Sequence, residues 1–260
     1  MTQRKFPLSS KTVLSFIVFL LSFSAFTQNK ILIVGSNVGT VNKKVNGTFL
    51  MEIAIPFDYF AARGYEIHVM SPKGGKIAIY HKGDTVAVLK KILASEYFIQ
   101  ATSNSTSPEK INPKDYSAII FPGGYGHFWD VYSDKKIADI TAKIYEGGGV
   151  IGALGHGTAD LLNVRLKSGD YLVKGKTLTC FPSWVEKEEM TEANYGKLLP
   201  VDMQQELAAH GAALKVCSKE NIRVCGDTRI VDAPNRIVTA SFADSGEFIA
   251  EEVVKMLGKR

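Results

Sequence analysis

The hydrophobic pattern divides the first part of the chain into alternating strands and helices. Short apolar runs that end in Gly, Ser or Pro are typical of strands buried on both faces of a sheet. Apolar residues at helical spacing, followed by glycine, predict amphipathic helices. The predicted elements are strands at 30–36, 65–71, 117–124 and 150–154 and helices at 49–64 and 133–148.

The second part continues the pattern with shorter elements. We predict a helix that begins near Thr158, a strand at 176–181, helices near 184–192 and within 199–211, short strands near 213–217, 222–225 and 236–241, and a closing helix at 245–257. Much of 72–116 has no clear period, and the composition of 101–113 predicts a polar surface loop.

Strands that alternate with helices predict an α/β fold, with a mostly parallel sheet covered on both sides. Ligands of such sheets bind beyond the carboxyl ends of the strands. We therefore expect Ser36, the Gly123-Gly124 turn and the Gly155 turn to lie along one functional edge.

The N-terminal segment has a different pattern. Arg4, Lys5 and Lys11 precede an apolar run from Val13 to Phe26. This is the pattern of a signal peptide at 1–26, followed by one domain at 27–260, and it predicts a secreted or periplasmic protein without a membrane segment after cleavage. The alternatives are an uncleaved anchor and a buried helix.

Composition and charge limit the kinds of partner that we expect the protein to bind. The chain is 45% hydrophobic and 22% charged, which is ordinary for a globular protein. Its formal charge is +5, and removing the three basic residues of the leader leaves +5 − 3 = +2, which argues against a nucleic-acid partner. The spacing of His and Cys residues predicts neither a metal site nor another cofactor. Cys217 and Cys225 could form a disulfide or be two buried thiols on neighbouring strands.

The sequence GVIGALGHGTADLL at 149–162 carries the candidate chemistry. It predicts a strand, a sharp turn at Gly155-His156-Gly157 and a helix. Several hydrolase-like folds present a nucleophilic Ser or Cys at such a turn. Here the residue at the apex is Gly155, which has no side chain and relaxes the strain of that backbone position.

Several motifs in order resemble one family. They are GTFLMEIAIPFDYFAARGYEIHVMSPKGG, IIFPGGYGHFWDV, VIGALGHGTADLLNV, LVKGKTLTCFPSWVEKEE and LPVDMQQEL. Together they resemble the PfpI family of the class I glutamine amidotransferase-like superfamily, in the branch of heat-shock chaperone and glyoxalase III (D-lactate dehydratase) proteins. The resemblance implies a three-layer, flavodoxin-like α/β sandwich and a homodimer.

The resemblance also implies roles for individual residues. Glu52 matches the acid beside the nucleophile, His156 the histidine after it, and Glu186 the carboxylate that orients this histidine. Gly123-Gly124 matches a loop whose N–H groups form an oxyanion site. The nucleophilic Cys would stand at Gly155. Tyr125, also in the ligand pocket, is a second departure, because many relatives have His there.

Each of these residues also has a structural interpretation. Glu52 could point to solvent from its helix, and His156 could be a plain turn residue. Glu186 lies in a charge-rich stretch that usually forms a solvated face. Gly123 and Gly124 could serve only a turn with positive φ.

Gly155 leaves three functional hypotheses. In glyoxalase III relatives a thiolate adds to the aldehyde of methylglyoxal, and a carboxyl group shuttles protons until lactate is released. Without the thiol, the main hypothesis is a pseudoenzyme that binds a small carbonyl ligand or acts as a chaperone for unfolded client proteins. The second is altered catalysis by Glu52 and His156 on a water in the vacated space. The third is family-type catalysis through a residue not identified here.

Overall fold

A computed structural model describes residues 30–82, 86–193 and 199–258 of the protein, and for 189–193 the backbone only. The predicted signal peptide at 1–26 lies outside these ranges. Within the described part of the chain, no helix has the length and apolar character needed to cross a membrane.

The predicted strands and helices that form keep their order along the chain, and the described residues also contain short strands and helices that were not predicted. The strands are β1 (Lys30–Val34), β2 (Thr40–Val41), β3 (Lys44–Val45), β4 (Thr48–Phe49), β5 (Glu66–Met70), β6 (Ile79–Tyr80), β7 (Ala118–Phe121), β8 (Val150–Leu154), β9 (Thr177–Leu178), β10 (Ala213–Leu214), β11 (Arg229–Asp232) and β12 (Ile237–Ala240). The α-helices are α1 (Leu50–Ala61), α2 (Ala87–Leu93), α3 (Glu96–Ser103), α4 (His127–Asp130), α5 (Lys135–Glu146), α6 (Ser183–Ala193), α7 (Met203–Ala209) and α8 (Gly246–Leu257).

The central sheet has six strands in the order β11-β12-β8-β7-β1-β5. Every neighbouring pair is parallel except β11 with β12, which is antiparallel. Helices α1 and α8 pack against each other on one face, and α5 packs on β7 and β8. The predicted three-layer α/β sandwich with a mostly parallel sheet is confirmed.

Alternating residues of the inner strands pack into two separate hydrophobic cores, one on each face of the sheet. In β1, Ile31 and Ile33 face the core under α1 and α8, whereas Leu32 and Val34 face the core under α5. All four side chains are fully buried. This two-sided burial explains why these strands read as continuous apolar runs in the sequence.

Three local predictions differ from the structure. The helix predicted to begin near Thr158 is a 3₁₀-helix that already begins at Gly155 and ends at Leu161. Residues 222–225 form turns and not a strand, and the strand predicted at 213–217 is limited to Ala213–Leu214. Runs of four or five residues are too short for periodicity to separate a strand from a turn.

The segment 72–116 is more ordered than its pattern indicates. It contains α2 and α3, and a bridge joins Thr106 to Met70 at the end of β5. Within the expected surface loop at 101–113, Thr102, Ser105 and Pro108 are buried. The hydroxyl groups of Thr102 and Ser105 donate to the backbone carbonyls of Phe98 and Gly75, so polar composition here does not mean exposure.

Candidate active site

The turn after β8 has the geometry of a nucleophile elbow. Gly155 has a φ of +49°, in the left-handed region that side chains other than glycine enter at a cost. A Cβ atom built on Gly155 would lie 3.0 Å from Oε1 of Glu52, and its three nearest atoms all belong to that side chain. The space beside Gly155 therefore faces Glu52, and Cys180 is not among the nearest contacts of this position.

Glu52 is a buried carboxyl group that points into the site. It lies on the first turn of α1 and is only 5% exposed, and Oε2 has no hydrogen-bond partner in the described part of the chain. Burial raises the pKa of Glu52 from 4.5 to about 7, although His156, the Gly123 backbone and His127 act in the opposite direction. The interpretation of Glu52 as a solvent-facing helix residue is wrong, and its pKa suits proton transfer near neutral pH.

His156 and Glu186 form a hydrogen-bonded pair beside the elbow. Nε2 of His156 lies 2.8 Å from Oε2 of Glu186 on α6. The His156 ring lies between Tyr125 and Phe181, with ring centroids 4.5 Å from each. The side chains of the pair are 8% and 13% exposed, so Glu186 does not belong to a solvated face. The carboxylate orients the imidazole, as the family resemblance implies.

The two glycines of the predicted oxyanion loop are required by close approach. A Cβ on Gly123 would lie 2.4 Å from Oε2 of Glu52 and 2.7 Å from the backbone nitrogen of His156. Gly124 has a φ of +119°, and its Cβ would lie 2.3 Å from the Gly47 carbonyl oxygen. Lack of space therefore explains both glycines, and positive φ is a second reason for Gly124.

A cavity of about 190 Å³ opens at Glu52. Most of its lining residues are aromatic. Its lining also contains one carboxyl group (Glu52), one imidazole (His156) and one ammonium group (Lys82). The lining residues are Phe49, Glu52, Tyr80, Lys82, Gly124, Tyr125, His156, Phe181, Phe242 and Ala243. Such a space suits a small, weakly polar molecule with one reactive carbonyl group. The structure thus brings all seven predicted site residues together around one position.

Sequence reasoning missed a buried ion pair next to this site. Nδ1 of His127 lies 2.6 Å from Oδ2 of Asp160, and both side chains are fully buried. The available signal was Asp160 itself, a lone acid in the apolar stretch GHGTADLL. A buried carboxylate needs a partner, but the sequence does not say which residue supplies it.

Cys217 and Cys225 are joined by a disulfide, with Cα atoms 5.9 Å apart. The alternative of two buried thiols on neighbouring strands is wrong. The bridged loop contacts the helix that carries Glu186: the indole N–H of Trp184 donates to the Cys217 carbonyl at 2.9 Å, and Lys219 pairs with Glu188. The disulfide therefore supports the start of α6, two residues from Glu186.

Replacing both bridged cysteines by serine should lower the free energy of unfolding by about 2–3 kcal/mol, the value for closing a loop of this length. Denaturant unfolding of the variant and of the oxidised protein measures the difference. Reduced unmodified protein is the control and should match the variant. Equal stability of the oxidised and reduced protein would contradict a supporting role for the bridge.

The fold and site define the class of protein. The family model described as "DJ-1/PfpI family" matches residues 44–256, which is most of the chain. This protein therefore belongs to the DJ-1/PfpI family, which agrees with the resemblance found in the sequence.

Named relatives within this family are glyoxalases. The chain is 29% identical over 146 residues to glyoxalase 3 of Candida albicans, a match covering 53% of this chain and 61% of the relative. It is 30% identical over 148 residues to the probable glutathione-independent glyoxalase SNO4 of Saccharomyces cerevisiae, covering 52% and 60%. These alignments span about three fifths of the length of the relatives.

Solved structures match over more of the chain. Glyoxalase III from Candida albicans superposes with a TM-score of 0.71 at 26% identity, covering 88% of this chain and 98% of that one. Rapid Encystment Protein 24 KDa from Francisella tularensis superposes with a TM-score of 0.74 at 27% identity, with the same two coverages.

Proposed function

We propose that this site converts small 2-oxoaldehydes such as methylglyoxal to 2-hydroxy acids, with Glu52 as the acid–base group and without a covalent thiol intermediate. The observation that carries the proposal is the buried Glu52 carboxyl, with a pKa of about 7, facing the space beside Gly155. The names of the glyoxalase relatives favour this hypothesis over a pseudoenzyme.

The reaction balances without an oxidant or reductant. Methylglyoxal adds one water at its aldehyde to give the hydrate, and the Glu52 carboxylate removes the proton on the hydrated carbon. The electron pair of that C–H bond forms a double bond to the ketone carbon, giving an enediolate. Glu52 then returns the proton to the former ketone carbon, and one hydroxyl proton moves to the neighbouring oxygen. The product is lactic acid, so one carbon is oxidised while its neighbour is reduced.

The other site residues fit this sequence of steps. The space that a thiol would fill is on the order of one water molecule in size, which leaves room for the added hydroxyl group. His156, held by Glu186, is placed to stabilise the enediolate charge.

Export is also proposed, because disulfides persist in oxidising compartments and the Cys217–Cys225 bridge is closed. This supports the predicted signal peptide and a secreted or periplasmic location. The predicted homodimer and chaperone activity have no supporting observation of this kind in the described residues.

A second candidate function is binding of a carbonyl compound without turnover. The specific observation in its favour is Gly155, because a covalent intermediate needs a nucleophilic side chain and glycine has none. In that case Glu52 and His156 would only recognise the ligand.

Lactate formed from methylglyoxal by the purified protein tests the proposal. The rate should exceed that of buffer and should rise as the pH passes about 7, because Glu52 acts as a base only after losing its proton. A rise in melting temperature with methylglyoxal but no lactate would support the second candidate instead. The absence of both lactate and a change in melting temperature would contradict both candidate functions.

A further inference from the structure

The His127–Asp160 pair lies in a buried polar network that the reaction steps do not use. Beyond the contact with Asp160, Nε2 of His127 lies 3.2 Å from Oγ1 of Thr48. The Thr48 oxygen also accepts the Ser36 backbone N–H at 2.9 Å. The Ser36 hydroxyl in turn donates to Asp130 at 2.8 Å.

This network joins the segments that build the site. Thr48 lies in β4, directly before the helix that carries Glu52. His127 begins α4, directly after the Gly123-Gly124 turn, and Asp160 lies in the 3₁₀-helix that begins at Gly155. A single imidazole therefore fixes three segments that meet at the carboxyl edge of the sheet.

Stability alone does not account for the ion pair. A buried pair loses the hydration of two charges, and apolar residues of similar volume are often equally stabilising. Oδ1 of Asp160 also has no hydrogen-bond partner in the part of the chain that the structure describes, so the pair is not fully compensated. The two buried charges therefore need an explanation other than stability.

His127 is the member of the pair that contacts Thr48, directly before the helix that carries Glu52. Burial lowers the pKa of His127, but the carboxylates of Asp160, Asp130 and Glu52 together raise it, and the net shift is upward. Burial raises the pKa of Asp160 to about 6, although His127 opposes the shift. The buried contact of 2.6 Å between the imidazole and the Asp160 carboxylate favours the charged form of both groups. His127 acts electrostatically on Glu52, and Glu52 acts on His127 in return.

We propose that His127, held and kept protonated by Asp160, is a positioning residue whose buried positive charge keeps Glu52 partly ionised at neutral pH. The proposal rests on the proposed function, because Glu52 is the base of that reaction. Thr48 contacts the other nitrogen of the imidazole, and Asp130 acts on the imidazole electrostatically. The other charged or titratable groups that face Glu52 or line its cavity are His156 with Glu186, Tyr80, Lys82 and Tyr125.

The experiment titrates Glu52 directly and does not depend on activity. Carboxyl-¹³C glutamate labelling lets NMR follow each Glu carboxyl with pH, and loss of one resonance in Glu52→Gln assigns Glu52. The test variant combines His127→Gln with Asp160→Asn, which keeps a hydrogen-bonding pair but removes both charges. Its Glu52 titration midpoint should move upward, because the nearby cation that favours the carboxylate is gone.

A matched pair on the surface is the control. His68 and Glu66 lie 2.7 Å apart, with Glu66 exposed and His68 half-buried. The double change His68→Gln and Glu66→Gln should leave the Glu52 midpoint unchanged. A folded His127/Asp160 variant with the wild-type midpoint would overturn the proposal, even if the protein is an active glyoxalase.

The single change Asp160→Asn decides the question if the double variant does not fold. Without the carboxylate, His127 loses its proton more readily, and the Glu52 midpoint should again rise. An unchanged or lower midpoint would overturn the proposal. Lactate formation is a separate readout: its pH profile should move to higher pH with the plateau retained, whereas an inactive wild-type protein contradicts only the proposed function.

Discussion

Gly155→Cys is expected to increase lactate formation from methylglyoxal by about 10²-fold or more, since loss of a covalent nucleophile elsewhere costs at least this much. The thiol would stand at the bend between β8 and its 3₁₀-helix, within reach of the Glu52 carboxyl, whose oxygen lies 3.0 Å from the position of the added Cβ. Ionised Glu52 can take the thiol proton, and the resulting thiolate adds to the aldehyde carbon. Initial rates at pH 7–8 measure the change.

The same substitution should lower stability. A side chain at φ +49° costs about 1–2 kcal/mol, and the Glu52 carboxyl must shift by a few tenths of an ångström to make room. In a protein of this size each kcal/mol corresponds to about 2–4 °C in melting temperature. The substitution would therefore add activity while reducing the melting temperature.

Gly155→Ala is the matched control, because it carries the same backbone strain and the same Cβ without sulfur. It should lose stability like the Cys variant and gain no activity. If the Cys and Ala variants have the same rate, the pocket no longer supports thiol chemistry. The interpretation of the Gly155 turn as a nucleophile elbow would then be wrong.

Glu52→Gln is expected to reduce lactate formation by about 10²–10⁴-fold, the usual contribution of a positioned acid–base group. Glutamine keeps the shape of the side chain but takes up no proton from the hydrated carbon. The loss should be greatest above pH 7, where the wild-type carboxyl is ionised and the variant has no corresponding base. Lactate production across pH 5–9 measures it.

The same variant should be more stable than wild type at alkaline pH. The pKa of Glu52 is raised on folding, so its contribution to stability is complete below about pH 4.5 and is lost as the pH rises through about 7. A shift of this size corresponds to about 3 kcal/mol, because each unit is worth about 1.4 kcal/mol. Glutamine stays neutral, so the variant should avoid that loss at pH 8 and above.

Glu66→Gln, at an exposed carboxylate, is the control for both measurements. It should change neither the rate nor the stability by a comparable amount. A Glu52→Gln variant with wild-type turnover would remove Glu52 from the reaction. One with wild-type stability at pH 8 would mean that the carboxyl is not buried in solution.

The sequence by itself determined the order of the elements, the parallel sheet and the family. These follow from local patterns: four-residue to five-residue apolar runs such as those of β1 and β8 can be satisfied only inside a sheet covered on both faces. The flanking motifs also placed Gly155 where the family resemblance implies a thiol. Glu52, His156 and Glu186 came from the resemblance and not from periodicity.

Only the tertiary structure decided what the side chains do at the site. Whether Glu52 is buried depends on how α1 packs against the elbow, and its pKa depends on that burial. His127 and Asp160 are 33 residues apart, and Cys217 meets Cys225 through turns that carry no strand pattern. For Glu52 and for the His127–Asp160 pair, the physical reason is that desolvation and pairing of polar groups are set by neighbours distant in the chain, which local sequence patterns do not encode. For the two cysteines, the local turns decide whether the sulfur atoms meet.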